Sequence, residues 1–253
     1  FLNIISIFSF IGISLGVAVL IIVMSVMNGF RTELINKIVG FNAHVTVKSH
    51  ERSINLDKLN DQNLKIISKE LILSNSGEAI VISKDYTKGL VLRGYKSKDF
   101  SKLDVVKKGN LIGESNQLSR NSISIGKELS FNLDLSVGDR VSIMSPVGIE
   151  TIIGSLPKQE TFTITSIFDS GMVDFDANIA FINLDTLESF FDLEKKNRNL
   201  EIYLNNPSNI DEIKIQIQKI FDNEFVYTWA DMNSSLFSAL KVERNVMFII
   251  LSL

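Results

Sequence analysis

The hydrophobic and polar positions divide this chain into three regions. Residues 1–30 and 245–253 carry no charged side chain, so every Lys, Arg, Asp and Glu lies between Arg31 and Arg244. Only serines and glycines interrupt the apolar run from Ile4 to Met27. About 20 such residues span the hydrocarbon core of a bilayer. The pattern therefore predicts a transmembrane helix ahead of a charged middle region.

A buried core helix and a cleaved signal peptide fit the first apolar run less well. A core helix of a globular protein normally has a polar face, which this run lacks. A signal peptide is shorter and has a basic start, and Asn28-Gly29-Phe30 is a poor small-residue cleavage site. A membrane-spanning helix remains the prediction.

Both apolar ends are predicted to continue as helices into the charged region. Phe30, Leu34 and Ile38 keep helical spacing, with Gly40 as the C-terminal stop. At the other end, a helix through Leu240 leads into the apolar residues 246–253. Because the sequence starts without Met and stops inside an apolar run, we expect a piece of a longer protein, cut within a second membrane helix.

The middle region is predicted to contain two strand–helix–strand flanks around an all-β insert. The first flank has predicted strands at 43–48, 78–82 and 90–93, and a helix from Leu56 to about Glu70 capped by Asn55. The second flank has predicted strands at 200–204 and 225–229 around a helix from Ile210. The insert has predicted strands at 122–125, 140–144, 161–168 and 178–182, and a helix at about 185–191. Because both flanks adjoin a membrane helix, we expect them to pack as one α+β subdomain.

A long apolar loop joins two strands of the insert that have the pattern of hairpin partners. The loop runs from 145 to 159, whereas a hairpin needs only two to five loop residues. Its apolar positions are Pro146, Val147, Ile149, Ile152, Ile153, Leu156 and Pro157. An apolar loop of this length is typical of a docking surface. A loop folded back over its own sheet would have the same pattern, so the sequence alone leaves both structures open.

Composition and missing motifs argue against an enzyme. The net charge of −3 argues against a nucleic-acid surface, and the absence of cysteine excludes disulfides and thiolate metal sites. Gly126-Lys127 is followed by Glu128, without the upstream glycine of a P-loop, so this chain is not expected to cradle ATP phosphates. His44 and His50 are the only histidines, and we predict no metal site and no catalytic residues.

Six short segments along the chain carry a common family pattern. They are 12–20 (GISLGVAVL), 25–30 (SVMNGF), 126–129 (GKEL), 137–139 (VGD), 228–233 (TWADMN) and 237–248 (FSALKVERNVMF). Together they resemble the LolC/LolE family, the membrane subunits of the lipoprotein-releasing ABC transporter. The resemblance extends from end to end of the chain.

The resemblance implies an α+β periplasmic domain between transmembrane helices, similar to MacB, with a Porter subdomain and a mainly β Sabre insert. On this basis residues 1–40 form the first membrane helix and its extension. Residues 41–100 and 192–230 form the two halves of the Porter subdomain, and residues 101–191 form the insert. The stalk helix and the start of the second membrane helix occupy residues 231–253.

The resemblance also implies partners and a location. The whole protein would be a multi-pass subunit of the bacterial inner membrane, paired with an identical or paralogous LolC/LolE-type subunit. Cytoplasmic ABC ATPase subunits would bind ATP and Mg, leaving no cofactor on this chain. The complex would extract lipoproteins from the membrane and pass them to a LolA-like periplasmic carrier.

Two groups of site residues follow from this resemblance. Loop 145–159 lies where the family has an apolar hairpin, the Hook, which in LolC recruits the carrier. Lipoprotein acyl chains need an apolar path out of the bilayer, and we expect the first helix to line it. The candidates for acyl contact are Val19, Val23, Met24 and Met27. Flexible methionines adapt to such chains, although ordinary lipid-facing or packing positions would have the same composition.

Two alternatives remain open on the sequence. Within transport, a MacB-like efflux subunit or an FtsX-like mechanotransmission subunit would share the domain organisation. From another class, a membrane-anchored periplasmic sensor or binding module would share the anchor and the folded middle. The length of chain before residue 1 and the number of membrane helices after residue 253 would separate these alternatives.

Overall fold

The computed structural model describes residues 2–49, 53–83, 86–107, 111–113, 118–146, 148–151, 154–207 and 209–252. The chain forms two compact units. One contains residues 1–38 together with 230–253, and the other contains Val39–Trp229.

The elements are numbered along the chain. The strands are β1 (Val45–Lys48), β2 (Ser68–Ser83), β3 (Tyr86–Tyr95), β4 (Leu111–Gly113), β5 (Ser122–Gly126), β6 (Arg140–Met144), β7 (Ile149–Thr151), β8 (Gly154–Leu156), β9 (Gln159–Phe168), β10 (Ile179–Asn183), β11 (Asn199–Leu204) and β12 (Phe225–Thr228). The helices are α1 (Leu2–Phe41), α2 (Gln62–Ile67), α3 (Ser97–Phe100), α4 (Asp104–Lys107), α5 (Lys127–Asn132), α6 (Val173–Asn178), α7 (Leu184–Phe191), α8 (Ile210–Ile220), α9 (Trp229–Met232) and α10 (Ser234–Ser252). Short 3-10 helices form at Leu56–Asn60 and Lys195–Asn197.

The first unit consists of the long helix α1 and the helix α10. The segment Ile5–Phe41 of α1 is long and apolar enough to cross a membrane, and most of its large apolar side chains from Ile5 to Phe30 lie exposed. Both predicted helices are confirmed, and α1 continues past the apolar run to Phe41.

The second unit begins and ends at neighbouring strands of an open antiparallel sheet. The order is β12–β1–β11–β2, so the strand that follows α1 lies between the two strands of the C-terminal flank. Val45 pairs with Ile202 on one side and with Thr228 on the other. The N–H of Trp229 donates to the carbonyl of His44 at 3.1 Å. The chain therefore enters and leaves this unit at one point.

The remaining strands close into a six-stranded ring. β2 pairs with β3, β3 with β10, β10 with β5, β5 with β9, β9 with β6, and β6 again with β2. Alternate side chains point into the ring, so Val141 and Ile143 of β6 and Phe162 and Ile164 of β9 are fully buried. The helix α7 packs Leu187 and Phe190 against the same core. This closure accounts for the alternating pattern of the insert.

The strand β2 belongs to both parts of the sheet. Its first half pairs with β11 and its second half with β3, while Ile80–Ile82 also pair with β6. The ring thus takes strands from both sides of residue 100, where the sequence analysis divides Porter from Sabre. That division stays a prediction.

A buried polar cluster lies on the open sheet. The Glu201 carboxylate accepts hydrogen bonds from Ser74 Oγ at 2.6 Å, Tyr95 OH at 3.0 Å and Tyr203 OH at 3.1 Å. Arg93 Nη2 donates to it at 3.1 Å. Burial raises the pKa of both tyrosines, which keeps them neutral hydrogen-bond donors. Breaking one partner out of a buried pair of this kind typically costs about 3–5 kcal/mol.

The C-terminal end of α1 joins this cluster. Arg93 Nη1 donates to Asn42 Oδ1 at 3.3 Å, and the guanidinium lies over the Phe41 ring at 5.8 Å. Phe41 also stacks on Phe175, with ring centroids 4.6 Å apart, beside Phe168 and Phe181. The end of the helix is therefore held by an aromatic core and by the buried ion pair.

Most predicted strands of the insert and the second flank are confirmed. Residues 140–144 form β6 as predicted, and the helix from Ile210 is α8. The sequence Ser208-Asn209-Ile210-Asp211 ahead of this helix resembles a capping box, and its Ser208 lies outside the described residues. The flanks pair within one sheet through β1, β11 and β12, as expected.

The predicted helix from Leu56 to Glu70 is wrong. The chain forms a 3-10 helix capped by Asn55 and then the short helix α2, whose first N–H groups bond to Asp61 Oδ1. Lys69 and Glu70 already belong to β2, which pairs with β11 and β3 over far more residues than its apolar positions indicate. Residues from Ser68 onward therefore form a strand, because their pairing with neighbouring strands outweighs the helical spacing of their apolar positions.

His44 couples the folded state of the second unit to pH. Its Nδ1 accepts the N–H of Leu204 at 2.8 Å, so this nitrogen carries no proton. Burial lowers the pKa of His44, although the Asp104 carboxylate opposes that effect. The unfolded chain titrates near the ordinary value of 6.5, so below that pH the unfolded state binds more protons and the folded state loses stability.

We therefore expect the folded chain in detergent to melt at a lower temperature as the pH falls from about 7.5 to about 5.5. His44→Asn keeps an acceptor for Leu204 but cannot titrate, so its melting temperature will fall less. The fluorescence of Trp229, the chain's only tryptophan, reports the transition. The backbone N–H of Trp229 donates a hydrogen bond to the carbonyl of His44, so the probe lies next to the titrating residue. Parallel pH profiles for the two proteins would contradict this assignment.

Candidate functional site

The loop between β6 and β9 forms a separate antiparallel hairpin. Ile149 pairs with Leu156, and Thr151 pairs with Gly154, in a two-stranded sheet distinct from the ten-stranded one. The predicted docking residues Ile152 and Ile153 lie outside the described residues. The other predicted positions belong to the hairpin or its base.

The hairpin rises from the rim of the ring where β6 ends and β9 begins. Met144 pairs with Gln159, and one further hydrogen bond runs from the Ser145 N–H to the Lys158 carbonyl at 2.8 Å. Beyond that bond stand Pro146 and Pro157, and neither has an N–H to extend the ladder. The pattern of pairing therefore changes at the two prolines.

Within the strands of the hairpin, the exposure of one side chain, Leu156, is described, and the two prolines at its base are described as well. Leu156 is 53 % exposed, and Pro146 and Pro157 are also exposed. Glu150 is the only charged residue between the two prolines. Leu156 and the two prolines are therefore not covered by the sheet beneath the hairpin.

A second group of predicted residues meets in the helical unit. Met24 and Met27 of α1 line a small cavity of about 40 Å³ with Leu240 and Met247 of α10. Polar side chains line it as well, and these are Asn28, Arg31 and Glu243. The cavity is a seam between two helices, with three flexible methionines among its walls.

Two predicted acyl-contact residues lie apart from this seam. Val19 and Val23 are exposed on α1 and do not line the cavity, whereas Met24 and Met27 do. Sequence analysis missed Met247 and Glu243 as partners. Glu243 lies three residues and Met247 seven residues after Leu240, which places all three on one face of α10. That spacing is the sequence signal from which they could have been predicted.

Comparison with known proteins identifies the domain. The model of the MacB-like periplasmic core domain matches residues 6–220 of this chain. The lipoprotein-releasing system transmembrane protein LolC of Neisseria meningitidis serogroup B is 27 % identical over 263 aligned residues, covering 100 % of this chain and 62 % of that protein.

Two further relatives extend the comparison. LolC of Buchnera aphidicola subsp. Acyrthosiphon pisum is 30 % identical, with 100 % of this chain and 63 % of that protein covered. The lipoprotein-releasing system transmembrane protein LolE of Haemophilus influenzae is 25 % identical, with 96 % of this chain and 60 % of that protein covered. The chain thus spans somewhat under two thirds of the length of the relatives it matches.

The fold and the family match define a membrane protein built around a MacB-like periplasmic core domain, and the chain belongs to that family. Within it, the chain falls in the LolC/LolE group, because LolC proteins match it from end to end. The expected family and fold class are confirmed.

Proposed function

We propose that the protein is the membrane subunit of an ABC transporter that extracts lipoproteins from the bacterial inner membrane and hands them to a periplasmic carrier. The chain itself performs no catalysis. ATP and Mg bind to partner ATPase subunits, and a second subunit of the LolC/LolE type completes the membrane part. The observation that carries the proposal is the separate hairpin, with Leu156 exposed, on the rim of a MacB-like domain.

The hairpin is the docking site for a LolA-like carrier. An isolated two-stranded hairpin is only marginally stable in water, and its open edges offer unpaired backbone groups to another chain. The exposed Leu156 and the two prolines add apolar area with little entropic cost on binding, because proline is already rigid. A carrier that binds lipid chains has apolar surface for this element to contact.

The seam between α1 and α10 is where acyl chains enter. Each buried methylene holds a lipid in the bilayer by about 0.8 kcal/mol, so extraction requires an apolar space that replaces the bilayer continuously. The cavity at Met24 and Met27 is much smaller than an acyl chain. The two helices must therefore move apart at the seam to admit an acyl chain. The flexible methionine side chains can adjust to the acyl chain as the helices separate.

The length of α1 allows it to carry motion out of the bilayer. Its 40 residues extend about 60 Å, and a hydrocarbon core takes about 30 Å. Its last residue, Phe41, is fixed in an aromatic core of the second unit. ATP-driven movement of the membrane part is passed to the periplasmic domain along this helix.

Photo-crosslinking tests the docking role. A photoreactive amino acid at Leu156, in the complete protein with its ATPase partner, is expected to give an adduct with the purified carrier under ultraviolet light. Phe131 on α5 is the matched control, because it is apolar and even more exposed, at 82 %, yet lies outside the hairpin. Equal labelling at both positions, or none at Leu156 in a complex that releases lipoprotein, would reject the docking role.

A charged substitution tests the seam. Met27→Glu is expected to abolish co-purification of lipoprotein with the complex, because an acyl chain in the seam would strip the carboxylate of its hydration. Val26→Glu is the control, since Val26 is exposed on α1 and has the same insertion cost. Subunit assembly, followed by affinity pull-down, should survive both changes. Unchanged lipoprotein binding in Met27→Glu, or equal loss in both variants, would contradict the assignment.

A further inference from the structure

The backbone alone does not fix the direction of the hairpin. The ladder between β6 and β9 ends with the bond from Ser145 to the Lys158 carbonyl, and the prolines on either side of the neck cannot extend it. Beyond this point β7 and β8 pair with each other. A neck of this kind can swing unless a side chain holds it.

The side chain of Lys158 makes such a contact. Its Nζ donates to the carbonyl of Ser189 and lies 5.9 Å from the centre of the Phe190 ring. Ser189 is in the last turn of α7, where carbonyls have no partner within the helix and the helix dipole is negative. The side chain of Lys158 is 28 % exposed, and its Nζ also lies 3.8 Å from the carboxylate of Glu160 on β9, so the Ser189 carbonyl is the contact that reaches α7. The free carbonyl and the negative end of the helix dipole therefore both favour the ammonium group of Lys158 at this position.

The helix that Lys158 contacts is itself firmly held. Arg198 forms two hydrogen bonds to Glu188 of α7, at 2.6 and 2.7 Å, and its side chain is largely buried. A Cβ added at Gly77 of β2 would lie 2.6 Å from the Phe191 ring, so helix and strand are in direct contact. Phe190 packs edge-on against Phe162 inside the ring. A bond to α7 is thus a bond to the rigid ring.

We propose that Lys158 is a positioning residue that fixes the docking hairpin in one orientation by binding the C-terminal turn of α7. The inference rests on the proposed carrier-docking function and goes beyond it. Lys158 acts through the hairpin and not by touching the carrier. A hairpin that is already held in its bound orientation loses less conformational entropy when the carrier binds, so binding is tighter.

The test compares Lys158→Met with Lys158→Arg in the complete complex. Methionine keeps the length of the stem but removes the charge and the donor, whereas arginine keeps both. For Lys158→Met, the dissociation constant for the purified periplasmic carrier is expected to rise about tenfold, as for the loss of one charge-assisted hydrogen bond. Lys158→Arg and the control Lys127→Met, which removes a lysine paired with Asp169 elsewhere, should stay close to the wild type.

A second readout measures the hairpin without the carrier. These 253 residues contain no cysteine, so once any cysteines elsewhere in the complex are replaced, a nitroxide on Leu156→Cys reports the motion of the hairpin. Its spectrum is expected to show greater mobility with Lys158→Met and no change with Lys158→Arg. Weaker carrier binding without a change of mobility would overturn the proposal, because Lys158 would then contact the carrier directly. Greater mobility with unchanged binding would overturn it as well.

Failure of the proposed function has a different signature. If the wild-type complex binds no carrier, the proposed docking function is overturned, and the nitroxide spectra alone then decide whether Lys158 holds the hairpin. The nitroxide spectra would still separate Lys158→Met from the wild type, and so would show that the contact with α7 holds the hairpin while docking fails.

Discussion

The double pairing of β2 is the constraint on which the second unit depends. Its 16 residues run from the open sheet, beside β11, into the closed ring, beside β3 and β6. The open sheet receives the chain from α1 and returns it at Trp229, while the ring carries the hairpin on its rim. A break in β2 would separate the part that adjoins the membrane helices from the part that bears the docking element.

This arrangement places two apolar features in different units and gives each a separate physical task. The seam of α1 and α10 is lined by three flexible methionines, and we propose that lipid chains leave the bilayer there. The hairpin has one charged residue between its two prolines, and we propose that it serves carrier docking, with Lys158 fixing its base. The buried Arg93–Glu201 pair and the ring of Phe41 hold residues 39–41, the last turn of α1, within the second unit.

The sequence predicts the elements whose burial follows a simple period. The charge-free run of α1, the alternation in β6 and the apolar stripe of α8 all depend on local patterns. The first half of β2 escapes prediction because Ser74 and Asn75 are buried polar residues, and Ser74 is satisfied by Glu201, far away in the chain. The seam and the contact of Lys158 with Ser189 also join distant segments, so no local pattern records them. Composition is enough to single out Met24 and Met27, but not their partners on α10.

Reconstituted lipoprotein release is the most direct test of the whole account. The full-length protein, its ATPase partner and a second LolC/LolE-type subunit would be placed in liposomes that contain a triacylated lipoprotein. Carrier-bound lipoprotein in the supernatant is the measured quantity. The account predicts transfer that requires both ATP and the carrier. ATP hydrolysis without any transfer of lipoprotein to the carrier would contradict it.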